Sequence, residues 1–193
     1  MIILCDTSSV VMLLRIAPEM FQDERYGCVT IKEVHDELFA TQKFKSRYPW
    51  RTDYRDKVVP LTASQMEVAE VSQYFSVIDE LVKDGTIDRK SGRLFDLSHT
   101  DKRILAGALT HQFKITSGDQ GLIRFAKQEF PSIFKGDISP LEIINMWLEN
   151  GLISWDDVKH EYLSEWDRLE EPRQPIEAIG KFQQFTGKIY PGS

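Results

Sequence analysis

Four carboxylates in this chain stand where a parallel α/β sheet would bring them together. Asp6 and Asp119 each follow a short apolar run that is typical of a buried strand, and Glu37 and Asp101 lie in the early turns of predicted helices. The carboxyl ends of parallel strands meet at one edge of a sheet. We therefore expect the four side chains to converge at that edge.

Clustered carboxylates favour a cation, because negative charges held close together repel one another and raise one another's pKa. Hard divalent ions that take oxygen ligands, Mg²⁺ or Mn²⁺, prefer such a site. An ion of this kind orients a water for attack on a phosphodiester and stabilises the leaving oxygen. The candidate metal ligands and catalytic acids are therefore Asp6, Glu37, Asp101 and Asp119.

Each of these acids also has an ordinary structural explanation. Asp6 can be an N-cap or turn residue, and Asp101 falls in a first helical turn, where the helix dipole favours a carboxylate. Thr30 and Glu33 match a capping box, which would occupy Glu33 and leave Glu37 for the site. Whether Glu33 or Glu37 completes the site stays open from the residues alone.

The elements that must position these acids alternate between short strands and helices. Residues 1–5, 26–30 and 113–116 are predicted strands, and 133–138 is a further candidate. The first run shows no alternation, which is typical of a strand at the centre of a parallel sheet. Helices are predicted over 10–16, from 30 onward, over 62–83, from about 101, over 121–129, over 139–150, from 154 and over 175–185.

Three helix starts carry a specific signal. A hydroxyl residue within 7–9 is expected to cap the first helix. Ser98 or Thr100 is expected to cap the helix that begins near Asp101. Ser139-Pro-Leu-Glu142 combines an N-cap, a proline at the first helical position and a glutamate at the third, which predicts a helix there.

The segment from Thr41 to Lys57 is basic and contains interleaved aromatic residues, unlike the rest of this acidic chain. Its cations could contact phosphates and its rings could stack on bases of single-stranded nucleic acid. Alternatively, it is a solvated helix whose rings pack on the domain or on a partner chain. The candidate nucleic-acid contacts are Lys43, Lys45, Arg47 and Arg51 in this segment, together with Arg103.

The bulk properties of the chain bound its class. Its 193 residues suit one domain with a helical annex, and 41% hydrophobic residues are enough for a core. A net charge of −6 does not suggest general adhesion to nucleic acid or membranes, so any RNA must be held locally. Cys5 and Cys28 are expected to be reduced core thiols of a cytoplasmic protein. We identify no signal peptide and no stretch long enough to span a membrane.

Four segments of the chain resemble the PIN-domain ribonucleases, including the VapC-type toxins. They are Ile3-Leu-Cys-Asp6-Thr-Ser-Ser-Val, Val34-His-Asp-Glu37-Leu, Thr100-Asp101-Lys-Arg-Ile-Leu-Ala-Gly-Ala and Ile115-Thr-Ser-Gly-Asp119. Their order and approximate spacings match the family across roughly residues 1–148. The resemblance implies a three-layer α/β/α PIN-like fold with a central parallel sheet, and acids that bind Mg²⁺ or Mn²⁺ to hydrolyse single-stranded RNA.

The resemblance also implies a supporting role for Ser117, which matches the family's hydroxyl two residues before the last aspartate. PIN toxins are typically homodimers, so a homodimer is expected. Residues 1–148 would form the nuclease domain, and 149–193 a C-terminal helical extension of the same domain. The family pattern does not explain this extension.

Two functions are consistent with these observations. One is a metal-dependent endoribonuclease, which could be a toxin paired with an antitoxin protein; Asp6→Asn would then abolish cleavage without unfolding the chain. The alternative is a catalytically weak PIN-like module that binds RNA or protein. The presence of all four acids favours the first. A haloacid-dehalogenase-type phosphatase is disfavoured, because it needs a second aspartate where Ser8 stands.

Overall fold

The first strand of the chain lies at the centre of a small parallel sheet. In this computed structural model, which describes residues 1–62 and 64–192 without the side chains of Lys43, Gln65 and Met66, the strand order is β2-β1-β3. The strands are β1 (Ile3–Cys5), β2 (Cys28–Val29) and β3 (Lys114–Thr116), and both pairings are parallel. The predictions of a mixed α/β chain, of a central parallel sheet and of a buried first strand are confirmed.

Helices account for much of the remaining described chain. They are α1 (Thr7–Ile16), α2 (Lys32–Ala40), α3 (Gln42–Arg47), α4 (Gln65–Lys83), α5 (His99–His111), α6 (Gln120–Glu129), α7 (Pro140–Glu149), α8 (Asp157–Glu170) and α9 (Ile176–Thr186). Two 3₁₀ segments cover Pro18–Phe21 and Pro49–Lys57. The predicted helices are therefore present, although the basic segment is divided between α3 and the second 3₁₀ segment.

Two of the predicted helix starts form full capping boxes. Ser98 caps α5 and exchanges hydrogen bonds with Asp101, and Ser139 does the same with Glu142 at the start of α7. In each case the hydroxyl accepts a backbone N–H and the carboxylate accepts the N–H of the serine, which satisfies two helix-end donors at once. The sequence predicted the cap of α7 in full, because that interaction lies within four residues, whereas at α5 it left Ser98 and Thr100 open and the structure selects Ser98.

The starts of α1 and α2 differ from the prediction. Asp6 caps α1, which confirms the structural alternative given for this residue, and the expectation that a hydroxyl of residues 7–9 is the cap is wrong. The capping box predicted for Thr30 and Glu33 is wrong, because α2 follows Ile31 without a side-chain cap. Thr30 is fully buried and donates its hydroxyl to the carbonyl of Cys5 instead. Contact with the neighbouring strand has therefore replaced the local cap.

The strand predicted over 133–138 is also wrong within the described chain. A single parallel bridge joins Ile115 to Asp137, and the N–H of Ile138 donates to the carbonyl of Ile115. Gly136, just before the bridge, has a φ of +92°. That left-handed conformation interrupts an extended strand, so pairing at this edge of the sheet stops after one residue.

The C-terminal residues share the core of the rest of the chain. α8 packs against α1, and α9 packs against α7. Leu163 of α8 and Phe182 of α9 are fully buried in the same hydrophobic cluster as the sheet. Asn145 of α7 donates its side-chain amide to the carbonyl of Ala178. The described part of the extension, residues 149–192, is therefore packed into the fold and contributes to its core.

The apolar stripe of α4 serves mainly as core. The helix packs against α5, and Ile78 is fully buried. Val68 and Val77 remain exposed, but they are nine residues apart and so lie on opposite sides of the helix. No helix in the described part of the chain is long and apolar enough to cross a membrane.

Cys5 and Cys28 are buried free thiols, which agrees with the expectation from the sequence. They lie on the neighbouring strands β1 and β2. Burial raises the pKa of the Cys5 thiol well above its ordinary value, and its neighbour Cys28 raises it further. The thiol therefore stays protonated and acts as a small apolar core residue.

Candidate functional site

Asp6 connects the loops that follow β1 and β3. Its Oδ1 accepts the Ser9 N–H at 2.8 Å and the Ser8 hydroxyl at 3.2 Å. Its Oδ2 accepts the Ser117 hydroxyl at 2.8 Å and the Gly118 N–H at 3.0 Å. The two strands are parallel neighbours, so their carboxyl ends meet as predicted. Four donors hold the carboxylate in one orientation, and Ser117 supports it as the resemblance implied.

Glu37 reaches the same loop from α2. The Thr7 hydroxyl, one residue beyond Asp6, donates to Glu37 Oε2 at 2.7 Å. Glu33 is engaged elsewhere, because the Arg103 guanidinium donates through Nε to its Oε1 at 3.0 Å. Of the two glutamates that the sequence left open, the structure therefore places Glu37 beside Asp6. It does so although the capping argument for Glu33 was wrong.

Asp101 performs its local structural role and also faces the other acids. Its Oδ2 accepts the N–H of Ser98 at 3.1 Å and the Ser98 hydroxyl at 2.5 Å. Burial raises the pKa of the Asp101 carboxyl, and the charges of Asp119 and Asp6 raise it further, against the lowering effect of the Ser98 hydrogen bonds. Ionising this group in the cluster is therefore unfavourable.

Asp119 is held by the helix that it begins. It caps α6, with its Oδ1 accepting the N–H groups of Gly121 at 2.6 Å and Leu122 at 3.2 Å. Its own N–H donates to the hydroxyl of Ser117 at 3.0 Å, which links it to Asp6 through one serine. Asp119 is not among the described residues that line the cleft with the other acids, but its charge raises the pKa of the Asp101 carboxyl.

An open cleft of about 380 Å³ brings three of the four predicted acids together, a volume within the range of small-ligand sites. The described residues that line it include four carboxylates and four hydroxyls, and none is Lys, Arg or His. Its lining residues are Asp6, Thr7, Ser8, Glu37, Phe44, Ser98, Thr100, Asp101, Ile104 and Glu170. The cleft is therefore rich in hard oxygen donors and in negative charge.

The acids do not form a compact metal-binding group. Among the described residues, no three His, Cys, Asp or Glu side chains are arranged so that they could hold a metal ion. The donor chemistry nevertheless fits a hard divalent cation, because carboxylate and hydroxyl oxygens are its preferred ligands. Burial raises the pKa of the Asp101 carboxyl, and the charges of Asp119 and Asp6 raise it further, which a bound cation would oppose. Mg²⁺ or Mn²⁺ stays a prediction for this cleft.

Glu170 lines the cleft and was missed by the sequence reasoning. It is the last residue of α8, in the C-terminal extension. Its Oε1 accepts the Tyr48 hydroxyl and, at 2.9 Å, the Nη1 of Arg47. Tyr48 and Glu170 are 122 residues apart in the chain, and no local pattern marks the glutamate. Only the packing of α8 brings it to the cleft.

Arg51 cannot contact RNA in this fold, and that prediction is wrong. The residue is 1% exposed. Its Nε donates to the carbonyl of Leu38 at 2.6 Å, Nη1 to that of Tyr48 at 3.3 Å and Nη2 to that of Phe39 at 3.5 Å. Burial lowers the pKa of the Arg51 guanidinium. Its role is to satisfy the carbonyls at the end of α2.

The aromatic residues of the basic segment follow the packing alternative. Phe44 and Tyr48 are buried, and Trp50 and Tyr54 pack against the core. The Trp50 ring meets the rings of Tyr48 and Tyr54 edge-on, at centroid distances of 6.1 and 5.9 Å. These rings are therefore not displayed for stacking on bases.

The remaining basic candidates for RNA contact differ in whether they form ion pairs within the chain. Lys45 is exposed on α3, whereas Arg47 is paired with Glu170 and Arg103 with Glu33. The side chain of Lys43 lies outside the described residues. Phe44 of α3 lines the cleft, so this short basic helix borders the acidic site.

Comparison with known proteins yields no assignment: no family model matches the chain, and no curated protein or solved structure matches it either. The residues of the cleft and the four segments that resemble PIN-domain ribonucleases therefore remain the features that indicate a function.

Proposed function

We propose that the chain is a metal-dependent endoribonuclease with a three-layer PIN-like fold. The observation that carries the proposal is the acidic cleft at the carboxyl ends of β1 and β3, which lacks a basic lining residue in the described chain. The four segments that resemble PIN-domain ribonucleases contribute Asp6, Glu37 and Asp101 to this cleft and Asp119 to the loop behind it. The segments that resemble the family and the lining of the cleft thus share Asp6, Glu37 and Asp101.

In this proposal Asp6, Glu37 and Asp101 would supply the ligands for Mg²⁺ or Mn²⁺, and the ion would draw together carboxylates that do not form a metal-binding group in the free chain. The bound ion supplies an activated water and neutralises charge on the phosphodiester. The residues around the acids fix their directions before substrate arrives. Thr7 holds Glu37, whereas Ser117 holds Asp6 together with the loop that carries Asp119. Such preorganisation lowers the cost of arranging charged groups during reaction.

Single-stranded RNA is the proposed substrate, since the resemblance implies it and basic residues border the cleft. Lys45 and Arg47 lie on α3, beside the lining residue Phe44. Contacts from these residues to phosphates would hold a strand locally on a protein whose net charge is −6. The proposal includes a cytoplasmic toxin paired with an antitoxin, and a homodimer that sedimentation would detect.

Cleavage of a labelled single-stranded RNA in Mn²⁺ or Mg²⁺ tests the proposal. Glu37→Gln and Asp101→Asn are expected to lower the cleavage rate by about 10²-fold or more, as expected for loss of a group that stabilises developing charge. Glu161→Gln, on the exposed face of α8, removes one negative charge away from the cleft and is the matched control. Unchanged cleavage by Glu37→Gln would contradict the proposal. Binding of RNA without cleavage by the wild-type chain would favour the binding-module alternative.

Metal binding is tested separately by thermal unfolding. Mn²⁺ is expected to raise the Tm of the wild-type chain, because a ligand of the folded state stabilises it. The rise is expected to vanish in the Glu37→Gln, Asp101→Asn double variant and to persist in Glu161→Gln. An equal rise in all three proteins would mean that the ion binds elsewhere.

A further inference from the structure

Glu170, the last residue of α8, lines the cleft and forms an ion pair with Arg47 of α3. We call this edge of the cleft, between Glu170 and Arg47, the cleft mouth. Glu170 Oε1 accepts from the Arg47 guanidinium at 2.9 Å and also from the Tyr48 hydroxyl. Burial and the Glu170 carboxylate raise the pKa of the Tyr48 hydroxyl, so it remains a proton donor. Two donors at the end of α3 therefore converge on a single carboxylate oxygen.

The local position of Glu170 is unfavourable for a carboxylate. It is the last residue of a helix, where the negative end of the helix dipole disfavours an anion. The next residue, Glu171, has a φ of +46°, which non-glycine residues rarely adopt. The contacts with Arg47 and Tyr48 compensate the carboxylate. Residues that break local preferences while completing a long-range contact are candidates for a functional role.

Arg47 is suited to bind a phosphate. Its side chain is 37% exposed, and Glu170 contacts it through Nη1. A guanidinium offers five N–H donors in a fork that matches the oxygens of phosphate as well as those of carboxylate. Glu170 lines the cleft and Arg47 contacts Glu170, so Arg47 borders the cleft. Arg51, four residues later, lacks this availability because it is buried.

We propose that Arg47 is the phosphate-binding residue of the cleft mouth and that Glu170 occupies it in the free chain as an internal anion. A phosphate of single-stranded RNA displaces Glu170 from the guanidinium. The choice of RNA as ligand rests on the proposed function. The C-terminal extension then has a specific role, because it supplies the group that limits entry of a polyanion.

The ion pair can be exchanged at little cost. Both side chains are partly exposed, at 37% for Arg47 and 22% for Glu170. Exposed pairs of this kind contribute little to stability, because water screens them and the two side chains lose freedom in forming them. Displacement of Glu170 exchanges one anion for another at Arg47. It also relieves repulsion between the entering phosphate and the Glu170 carboxylate.

The test is binding of a fluorescent single-stranded RNA to the full chain without divalent cations, so that cleavage does not interfere. Glu170→Gln keeps an acceptor oxygen for Arg47 and Tyr48 but removes the charge, and it is expected to bind about threefold to tenfold tighter. Arg47→Gln is expected to bind at least about threefold weaker, with a salt slope smaller by about 0.7. Glu161→Gln is the matched control on α8 and is expected to bind like the wild type.

The double variant Arg47→Gln, Glu170→Gln separates displacement from general charge. The gain from Glu170→Gln is expected to fall by more than half when Arg47 is absent. An equal gain in both backgrounds, or binding by Glu170→Gln that matches Glu161→Gln, would overturn the inference. Circular dichroism of each variant establishes that the compared proteins are folded.

The same proteins distinguish this inference from the proposed function. Cleavage in Mn²⁺ with no coupling between Arg47 and Glu170 would overturn the inference and leave the nuclease proposal standing. Coupled binding without cleavage would support the inference and contradict the nuclease proposal. Absence of RNA binding by every protein would overturn the inference.

Discussion

At the residue scale, Asp6 is as much a structural residue as a candidate ligand. Two N–H groups and two hydroxyls donate to its two carboxylate oxygens. This differs from the sequence-based expectation that Asp6→Asn leaves the fold intact. An asparagine NH₂ group cannot accept a hydrogen bond and would face donors.

We therefore expect Asp6→Asn to lower the free energy of unfolding by about 1–3 kcal/mol, the cost of leaving partly buried donors unsatisfied. Glu37→Gln is expected to cost less than about 1 kcal/mol, because a glutamine oxygen can still accept from Thr7. Urea unfolding of both variants measures the difference. Equal stabilities would show that water replaces the lost acceptor at Asp6.

The raised pKa of Asp101 predicts that the free energy of unfolding depends on pH. Its folded pKa is raised by burial and by neighbouring carboxylates, so the folded chain holds this proton to higher pH than the unfolded chain. The penalty for ionising it is absent below the ordinary aspartate pKa of about 4 and is fully present above the raised value. Asp101→Asn is therefore expected to gain stability relative to wild type between pH 4 and pH 7.

The measurement is urea unfolding of wild type and Asp101→Asn at both pH values, without divalent cations. Asp101→Asn also alters the capping box with Ser98, and this alteration affects stability at both pH values. The readout is therefore how the difference in free energy of unfolding between the two proteins changes with pH. A constant difference would mean that the neighbouring acids do not affect Asp101. Addition of Mn²⁺ at pH 7 is expected to reverse the order, since only the wild type keeps this ligand.

At the element scale, features that depend on local sequence signals were predictable. Features that depend on contacts between distant parts of the chain were not. The capping box of α7 was predictable because it is complete within four residues, and at α5 the sequence narrowed the cap to Ser98 or Thr100. The same pattern at Thr30 failed, because β1 offers its hydroxyl a buried carbonyl. Arg51 likewise stands in a basic segment by sequence but satisfies backbone carbonyls in the fold. A local pattern cannot reveal which strand or helix end will lie beside it.

The residues of the candidate site show the same difference between local and distant contacts. Asp6 was predictable from the strand pattern, since parallel neighbouring strands bring their ends together whatever the details of packing, whereas Ser117 was implied only by the family resemblance. Glu170 was not, because its place depends on how α8 lies against α1. The orientation of α8 is therefore the element-scale feature on which the cleft depends most.

Trp166 fixes that orientation and provides a test. The residue is 4% exposed, and its Nε1 donates to the carbonyl of Ser8 at 3.3 Å, which joins α8 to the first turn of α1, next to Asp6. Trp166→Ala is expected to lower the free energy of unfolding by about 3–5 kcal/mol through loss of burial and the cavity left behind. Trp166→Phe keeps most of the ring and is expected to cost less.

Guanidinium chloride unfolding measures both Trp166 variants. Arg15 of α1 also contacts α8, because its guanidinium lies 3.9 Å from the ring centroid of Tyr162, and it lies 4.8 Å from the ring centroid of Trp50 in the second 3₁₀ segment. A loss below about 1 kcal/mol for Trp166→Ala would indicate that these neighbouring contacts alone hold α8 in place.

At the scale of the whole molecule, residues 149–193 belong to the fold of residues 1–148. Leu163, Trp166 and Phe182 each lie in the common core. A fully buried side chain of this size contributes about 1.5–3 kcal/mol, whereas the stability of an entire domain is about 5–15 kcal/mol. Removing the extension would therefore eliminate several such contributions and expose the surfaces of α1 and α7 that they cover.

We expect a chain of residues 1–148 to lack a cooperative thermal transition, because its core is left uncovered. A chain divided after Gly151 is the matched control. That residue has a φ of +65° and follows α7 in an exposed turn, where a break leaves the core contacts intact. Co-expressed fragments 1–151 and 152–193 are expected to associate and recover the transition. A stable, cooperative 1–148 fragment would instead make the extension dispensable for folding, and its role would then be confined to the Glu170 contact at the cleft mouth.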